Sequence, residues 1–527
     1  MFCEGSTSSD QLAALIREII RNVASCGLMP IATVCDQGAS NRSAINKLLD
    51  ETKRKYRQAN KEHEIFGFEI DDMEIVPLFD YPHLLKCIRN NLLTKDLLYT
   101  YNNQEKRASW SHILKLYHWD EPTQYLNTFT KLTDYHVIPS KIKKMKVSCC
   151  TQVFSQRVGK LMQFLIDSGS TILPREATDT ACLLLFFDKL FDSCNGSKAS
   201  AVAGHEYRCR VTVRSPHHNF WKEAKEVIRC MRFQCNSTKK ISKPPSINNW
   251  LHTISALQYL WTKIKNLGFS ELVPRNLNQD AIENFFSCIR SHGIRNVNPT
   301  CTGFIYSFKT LMINNLLSNK SVSSNCEDDL SVGMLDNLRS LAESGEVVDK
   351  LPQTNITLQT KPLVTPNEVY LDAYISGYVP RKIFNKIGKC KICMSNLTTT
   401  EETALHGMIA ARRYSHKSLL LPTTKFVEIF QKCCMAIAEK LPQLCLNNYI
   451  KEKIINHLLE VVSFKDIECE EHPDLSTLFA NTVTVLMLFS WVKQINRILN
   501  GDVRFRYNPS GDMIKNIAYK KSVKRRK

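Results

Sequence analysis

Helical and strand patterns alternate at the start of the chain, and this alternation most constrains the fold. Apolar residues recur at helical spacing, then cluster in short runs bounded by turn residues, and then return to helical spacing. The pattern predicts a helix at residues 12–23, a strand at 30–35, a helix at 40–52, a strand at 75–79 and a helix from Pro82 onward. Strands that alternate with helices usually form a partly parallel sheet, so we predict an α/β unit here.

The pattern then becomes mainly helical, with few strand signals between residues 110 and 268. Residues 242–249 (SKPPSINN) predict a loop because proline and asparagine interrupt the periodicity. Residues 318–366 are polar and acidic and predict a linker. Helices are expected over residues 153–166, 181–191, 250–267 and much of 367–527.

Charge favours a polyanionic partner. The chain carries 70 Lys and Arg against 51 Asp and Glu, a net charge of +19, and phosphate neutralisation by such a surplus releases counterions. Basic clusters occur at residues 53–57, 141–146 and 520–527. Any single cluster can equally be a solvated face, but together they favour nucleic acid, and the last one has the composition of a nuclear localisation signal.

Targeting signals and cysteine usage indicate a reducing compartment. The N-terminus has no basic region followed by an apolar stretch, and no apolar run approaches the roughly 18 residues that a membrane span needs. The 20 cysteines are therefore expected to be reduced thiols in the cytosol or nucleus.

Two acidic positions could carry chemistry. Asp36 follows a predicted strand, where side chains point into the crevice of an α/β sheet, although it could simply cap the next helix. Asp280 and Glu283 share one face of a predicted helix, although the helix dipole alone favours acids in a first turn. The opposite face, which we expect to be buried, carries Ile282, Phe285, Phe286 and Ile289. Carboxylates from distant elements can hold two Mg²⁺ ions for phosphoryl transfer.

Several motifs in a fixed order resemble the P-element transposases, the group that includes the THAP-domain-containing transposases. The longest are VCDQGASNR, FDYPHLLKCIRNN and NQDAIENFF, at residues 34–42, 79–91 and 278–286. Shorter matches occur at residues 131–133, 146–155, 191–195 and 296–300.

The resemblance implies an RNase H-like catalytic domain, split by a helical insertion that binds GTP, and cut-and-paste DNA transposition with three acids and Mg²⁺. Asp36 matches the second catalytic acid and Glu283 the third. The positions that match GTP contacts are Lys131, Lys146, Val147, Ser155, Phe191, Asp192, Asn195 and Asp280. DNA and GTP are the implied partners, no membrane is expected, and a homo-oligomer is compatible with the resemblance.

The predicted fold class is α/β plus α, with a partial RNase H-like domain. We expect the first part of the RNase H-like domain at residues 1–117, the GTP-binding-like insertion at 118–268 and the final helical region of the RNase H-like domain at 269–317. The linker follows at residues 318–366 and a helical C-terminal domain at 367–527.

The match departs from the family at the N-terminus. The family's first catalytic Asp precedes the second on an earlier strand, whereas the residues before Asp36 are mostly helical, and no THAP module is seen. We therefore expect a DNA-associated protein with impaired catalysis. The alternatives are an active transposase whose leading segment lies outside this sequence, and a GTP-regulated interaction protein that binds no DNA.

The C-terminal part contains four residues with zinc-ligand spacing. Cys390-x-x-Cys393 and Cys469-x-x-His472 together supply a full ligand set, which predicts a structural Zn²⁺ site. The alternative is that these are buried thiols beside a surface histidine, because a lone C-x-x-C is common and the two pairs are far apart in sequence.

Overall fold

The computed structural model describes most of the chain, which divides into two compact units. The described residues are 7–120, 131–169, 171–202, 204–291, 299–313, 372–388, 390–413, 419–444 and 449–499. The first unit comprises residues 1–111, 143–156 and 179–346, and the second comprises residues 112–142, 157–178 and 347–527. The predicted linker at residues 318–366 and the basic cluster at 520–527 lie outside the described residues.

Helices dominate both units. They are α1 (Ser9–Ser25), α2 (Ala39–Gln58), α3 (Tyr81–Leu92), α4 (Trp110–Trp119), α5 (Asp134–Val137), α6 (Val147–Val153), α7 (Gln156–Asp167), α8 (Ala177–Cys194), α9 (His217–Cys230), α10 (Pro245–Asn266), α11 (Asp280–Ser291), α12 (Cys301–Ile313), α13 (Tyr378–Ile387), α14 (Lys391–Leu397), α15 (Gly407–Arg412), α16 (Thr424–Leu444), α17 (Ile450–Val461) and α18 (Leu475–Leu499). The strands are β1 (Ala32–Cys35), β2 (Phe68–Ile70), β3 (Met73–Phe79), β4 (Lys95–Tyr101), β5 (Gln104–Ala108), β6 (Arg232–Cys235), β7 (Ile241–Ser242), β8 (Thr398–Thr399) and β9 (Leu421–Pro422).

The first sheet confirms the predicted α/β alternation. Its strand order is β1-β3-β2, and β1 runs parallel to β3 with Cys35 opposite Phe79. β2 pairs with β3 in the antiparallel direction. Because β1 and β3 are parallel and in register, the residues that follow them leave the sheet at the same edge.

Apolar side chains hold helices against this sheet. Helices α1 and α2 share a buried cluster with β2 and β3, which includes Ile20, Ile45, Phe68 and Ile75. Helix α10 is fixed to β3 by polar contacts: the Phe79 amide donates to Thr253 Oγ1 at 3.1 Å, and the Thr253 hydroxyl donates to the Phe79 carbonyl at 3.2 Å. The central strand is therefore anchored near the end that leads into α3.

A second sheet, with strand order β5-β4-β6-β7, was not predicted. Its two strands after residue 110, β6 and β7, are short, in agreement with the few strands expected there. β6 pairs with β4 in the antiparallel direction, far from it in sequence. The sequence patterns did not reveal β4 and β5 because charged residues interrupt their alternation (KDLLYTY and QEKRA). Strand β6 has only four residues, too few to show a period.

One further prediction of local structure was wrong, and another differs only in where the helix begins. The predicted loop at residues 242–249 is mostly the start of α10, because Pro245 occupies its first turn, where proline costs no hydrogen bond. The predicted helix at residues 153–166 is α7, which begins at Gln156 because Phe154 leaves the helical region with φ −80° and ψ 65° after α6.

In the second unit, α13, α14 and α16–α18 surround one apolar core. Its buried residues include Ile383, Phe430, Leu458 and Phe479. Helix α18 packs closely with α16 and α17.

Among the described residues, the helices are all too short or too polar to span a bilayer.

Candidate active site

Two aspartates emerge side by side from the parallel strands of the first sheet. Asp36 follows β1 and Asp80 follows β3, and the Asp80 amide donates to the Cys35 carbonyl at 2.8 Å, continuing the ladder by one step. Burial raises the pKa of the intervening Cys35 thiol to about 12, and the charges of both aspartates add to the shift. Both carboxylates are therefore close enough to act on the same thiol at this edge of the sheet.

The Asp36 carboxylate is held by a tight turn into α2. Its Oδ1 atom accepts from the Gly38 amide at 2.8 Å and from Asn41 Nδ2 at 2.6 Å. A Cβ at residue 38 would lie 2.9 Å from Oδ1, so glycine is needed for this approach. Both hydrogen bonds go to Oδ1, which leaves Oδ2 without a donor among the described residues. Asp36 thus stabilises the turn before α2 but is not the helix cap that was the simpler alternative, because the N-cap is Gly38 and has no side-chain cap. Its other oxygen remains available.

Asp80 is buried, with 2% exposure, and was not predicted as a site residue. Its Oδ2 caps α3 by accepting from the His83 amide at 3.1 Å, and its Oδ1 accepts from the Gln279 amide at 2.9 Å. His83 Nδ1 lies 2.8 Å from Oδ2. The Asp-Tyr-Pro sequence, an N-cap followed by proline in the first turn, is the signal that could have indicated this role.

His83 links Asp80 to Glu283. Its Nε2 lies 3.5 Å from Glu283 Oε1, while Nδ1 faces Asp80. The structure therefore brings Glu283, from the first turn of α11, to the edge at which Asp36 and Asp80 leave the sheet. Sequence reasoning placed Asp36 and Glu283 at one crevice, and it missed the histidine that connects the helix to the sheet.

The predicted buried face of α11 is only partly correct. Ile289 is buried, but Ile282 is 52% exposed and Phe286 is 37% exposed. Phe285 packs against Phe308 at 5.9 Å, because α12 covers this helix by aromatic contacts. The polar side instead contributes buried residues, including Asp280 and Asn284.

Three of the predicted GTP positions meet around a residue that was not predicted, Tyr81. The Tyr81 hydroxyl donates to Asn195 Oδ1 at 2.8 Å, and its ring packs edge-on against Phe191 at 5.5 Å. Asn278 Nδ2 donates to the Tyr81 hydroxyl at 2.9 Å and to Asp280 Oδ2 at 3.1 Å. Burial, reinforced by the charge of Asp280, raises the Tyr81 pKa well above its usual value, so the hydroxyl keeps its proton.

Asp192 lies beside a second acid on α8. Its Oδ2 accepts from Arg208 Nε at 2.7 Å, and His205 Nδ1 lies 3.6 Å away. One turn earlier, burial raises the pKa of Asp188 to about 7, and the charge of Asp192 adds to the shift. This acid pair with its basic neighbours forms a polar group within the first unit.

Three of the other predicted GTP positions lie at the ends of helices. Lys146 precedes α6, Val147 is its buried first residue, and the Ser155 hydroxyl donates to the Gln152 carbonyl at 2.8 Å. Lys131 is an exposed residue of the second compact unit, with a positive φ of 57°.

The four predicted zinc ligands of the second unit come together. The candidate ligand atoms of Cys390, Cys393, Cys469 and His472 all lie within 4.8 Å of one another. Cys390 and Cys393 flank the start of α14, and the other two precede α18.

Comparison with known proteins relates these features to one family. A model described as TNP-like, GTP-binding insertion domain matches residues 82–206, and one described as TNP-like, RNase H C-terminal domain matches residues 276–309. The Transposable element P transposase of Drosophila melanogaster is 24% identical over 458 residues, 84% of this chain and 56% of that protein. The chain thus spans little more than half the length of this curated relative.

A solved structure, the Drosophila P element transposase strand transfer complex, matches with a TM-score of 0.47 and 21% identity, over 59% of this chain and 65% of that one. The two family models and the curated relative agree with the order of motifs along the sequence. By two family models and one curated relative, the chain is similar to the P-element transposases.

Proposed function

We propose that the edge formed by the ends of β1 and β3 and by α11 binds divalent metal for phosphoryl transfer on DNA. Asp36 and Glu283 are the metal-binding carboxylates of this site. The observation that carries the proposal is the convergence of three distant segments, because Glu283 reaches the edge through His83 and Asp80. An RNase H-like domain split by the helical insertion is the fold that we propose around this site.

The chain's own residues would prepare these carboxylates for metal. The Gly38 amide and Asn41 fix the Asp36 carboxylate through Oδ1, so Oδ2 can face a ligand. His83 limits the rotation of Glu283, which lowers the entropy lost on binding. Mg²⁺, when bound, supplies activation of the attacking oxygen and stabilisation of the leaving oxygen.

Asp80 is better suited to a structural role. Its two oxygens already accept from the His83 and Gln279 amides, and Oδ2 also faces the His83 ring. Binding metal there would break the cap of α3. Among the described residues, this edge therefore supplies two suitable carboxylates, Asp36 and Glu283, and we propose that a centre with these two acids has weak catalysis.

We further propose that GTP binds near α8 and the Tyr81 network. The matching family model is described as a GTP-binding insertion domain, and residues 82–206 include Lys146, Phe191, Asp192 and Asn195. Cationic side chains suit the phosphates, and carboxylates can accept hydrogen bonds from the guanine edge. DNA as the second partner, and a nuclear location, follow from the family and from the net charge of +19.

Metal binding tests the active-site proposal directly. Mn²⁺ titration of the purified chain, followed by electron paramagnetic resonance, should show a site that Asp36→Asn and Glu283→Gln each weaken at least about tenfold. Asp50→Asn is the matched control, because Asp50 is an exposed acid on α2 that pairs with Lys53 on the same helix. Equal Mn²⁺ affinity in all four proteins would exclude the proposed site.

Nucleotide and DNA binding test the partners separately. We expect a fluorescent GTP analogue to bind with displacement by GTP but not by ATP. Binding to duplex DNA should weaken steeply between low and moderate salt, as counterion release requires. GTP binding without salt-sensitive DNA binding would instead identify an interaction protein that does not act on DNA.

A further inference from the structure

In the second unit, the sulfur and nitrogen atoms of three cysteines and one histidine lie close together. Cys390 Sγ lies 3.8 Å from Cys469 Sγ. His472 Nδ1 lies 3.5 Å from Cys393 Sγ and 3.7 Å from Cys469 Sγ. These atoms come from two segments that are remote in sequence, so the fold itself must set their distances.

The spacings are those of the corners of a zinc tetrahedron. With Zn–S of about 2.3 Å and Zn–N of about 2.0 Å, tetrahedral geometry puts two sulfurs about 3.8 Å apart and a sulfur and a nitrogen about 3.6 Å apart. A disulfide would need sulfurs about 2.05 Å apart. The distance between Cys390 and Cys469 therefore fits shared metal coordination and does not fit a covalent bridge.

Local structure presents all four side chains to one point. Cys390 is the N-cap of α14 and Cys393 lies in its first turn. Cys469 and His472 form a turn, in which the His472 amide donates to the Cys469 carbonyl at 3.0 Å. Asn396 Nδ2 donates to the Glu468 carbonyl at 3.0 Å, which fastens α14 to that turn. Cys393 and Cys469 belong to the apolar core of the unit, with 0% and 6% exposure.

We propose that Cys390, Cys393, Cys469 and His472 bind one structural Zn²⁺ that ties α14 to the segment before α18. Three thiolates and one imidazole select zinc over Mg²⁺, which prefers oxygen ligands. Four protein ligands leave no open position, so the ion supports the fold and does not catalyse. This site is independent of the proposed metal site at the sheet edge.

Metal content of the purified full chain tests the site. We expect about one equivalent of zinc per chain by mass spectrometry of the metal, and its loss in Cys393→Ser. Cys433→Ser is the matched control, because Cys433 is a fully buried thiol of the same core that lies outside the cluster. It should keep the full equivalent, even if its melting temperature falls as far as that of Cys393→Ser.

Ligand exchange separates coordination from packing. His472→Ala should lose the zinc, whereas His472→Cys, which restores a four-thiolate set, should retain it. Replacement by Co²⁺ should give the thiolate charge-transfer band of a tetrahedral site in the wild-type chain and in Cys433→Ser. A wild-type chain without zinc or this cobalt spectrum, or full zinc retention in both Cys393→Ser and His472→Ala, would overturn the proposal.

Discussion

His83 Nε2 lies 3.5 Å from Glu283 Oε1, and the other ring nitrogen of the same histidine lies 2.8 Å from the buried carboxylate of Asp80. The His83 imidazole therefore connects the end of the sheet to α11. In metal sites, such outer contacts orient the ligand and contribute to affinity. The proposed metal site thus depends on a residue that need not touch the metal.

Removal of this contact should weaken metal binding without unfolding the chain. We expect His83→Ala to raise the Mn²⁺ dissociation constant about tenfold, because Glu283 loses the group that orients it. His63→Ala, at an exposed histidine whose ring packs edge-on against Tyr56, should leave the constant unchanged. Isothermal titration gives both values, and an unaltered constant in His83→Ala would show that the contact has no role in metal binding.

Asp80 should behave as a structural residue. Asp80→Ala removes the acceptor for two backbone amides, and we expect a loss of about 2–4 kcal/mol in the free energy of unfolding. Asp80→Asn can still cap α3, so its loss should be about half as large. In Asp80→Asn, Mn²⁺ affinity should stay within about threefold of wild type. A loss as large as that of Asp36→Asn would make Asp80 a metal ligand.

The Tyr81 hydroxyl should matter for nucleotide binding as well as for stability. Tyr81→Phe removes contacts to Asn195 and Asn278, which should cost about 1–2 kcal/mol of stability and weaken GTP binding several-fold. Tyr99→Phe is the control, because Tyr99 is also buried and its hydroxyl donates to the Asp179 carbonyl at 2.6 Å. It should lose similar stability and keep its GTP affinity. Equal GTP affinities in Tyr81→Phe and Tyr99→Phe would show that the nucleotide does not bind near the Tyr81 hydroxyl.

Asp188 should make the first unit less stable at higher pH. Its pKa is about 7 in the folded chain, against about 3.9 when unfolded, so the folded state binds the proton more tightly. This contribution to stability is complete below about pH 4 and is lost as the pH rises through 7, by about 4 kcal/mol at most. Hydrogen exchange of α8 amides at pH 5 and pH 8 should show a smaller pH effect in Asp188→Asn. An identical pH effect in Asp188→Asn and wild type would refute this role.

The sequence predicted the strand ends because short apolar runs next to Asp-Gln-Gly and Asp-Tyr-Pro carry strong local signals. It therefore predicted Asp36 and, with the family motif, Glu283. His83 and Tyr81 were missed because their roles depend on Glu283 and Asn278, which only the tertiary structure brings near them. The helical period of α11 likewise could not show that α12 packs against Phe285.

The hydrogen bond from Gln279 to Asp80 joins residues that are 199 positions apart. At roughly 5–20 residues per second, a ribosome makes Asp80 some 10–40 s before Gln279. Until then, the carboxylate that caps α3 lacks its second donor, so this edge of the sheet is completed late in synthesis. Ribosome-stalled chains that end before α11 should be cleaved by protease near α3, and chains that extend past α12 should be protected there.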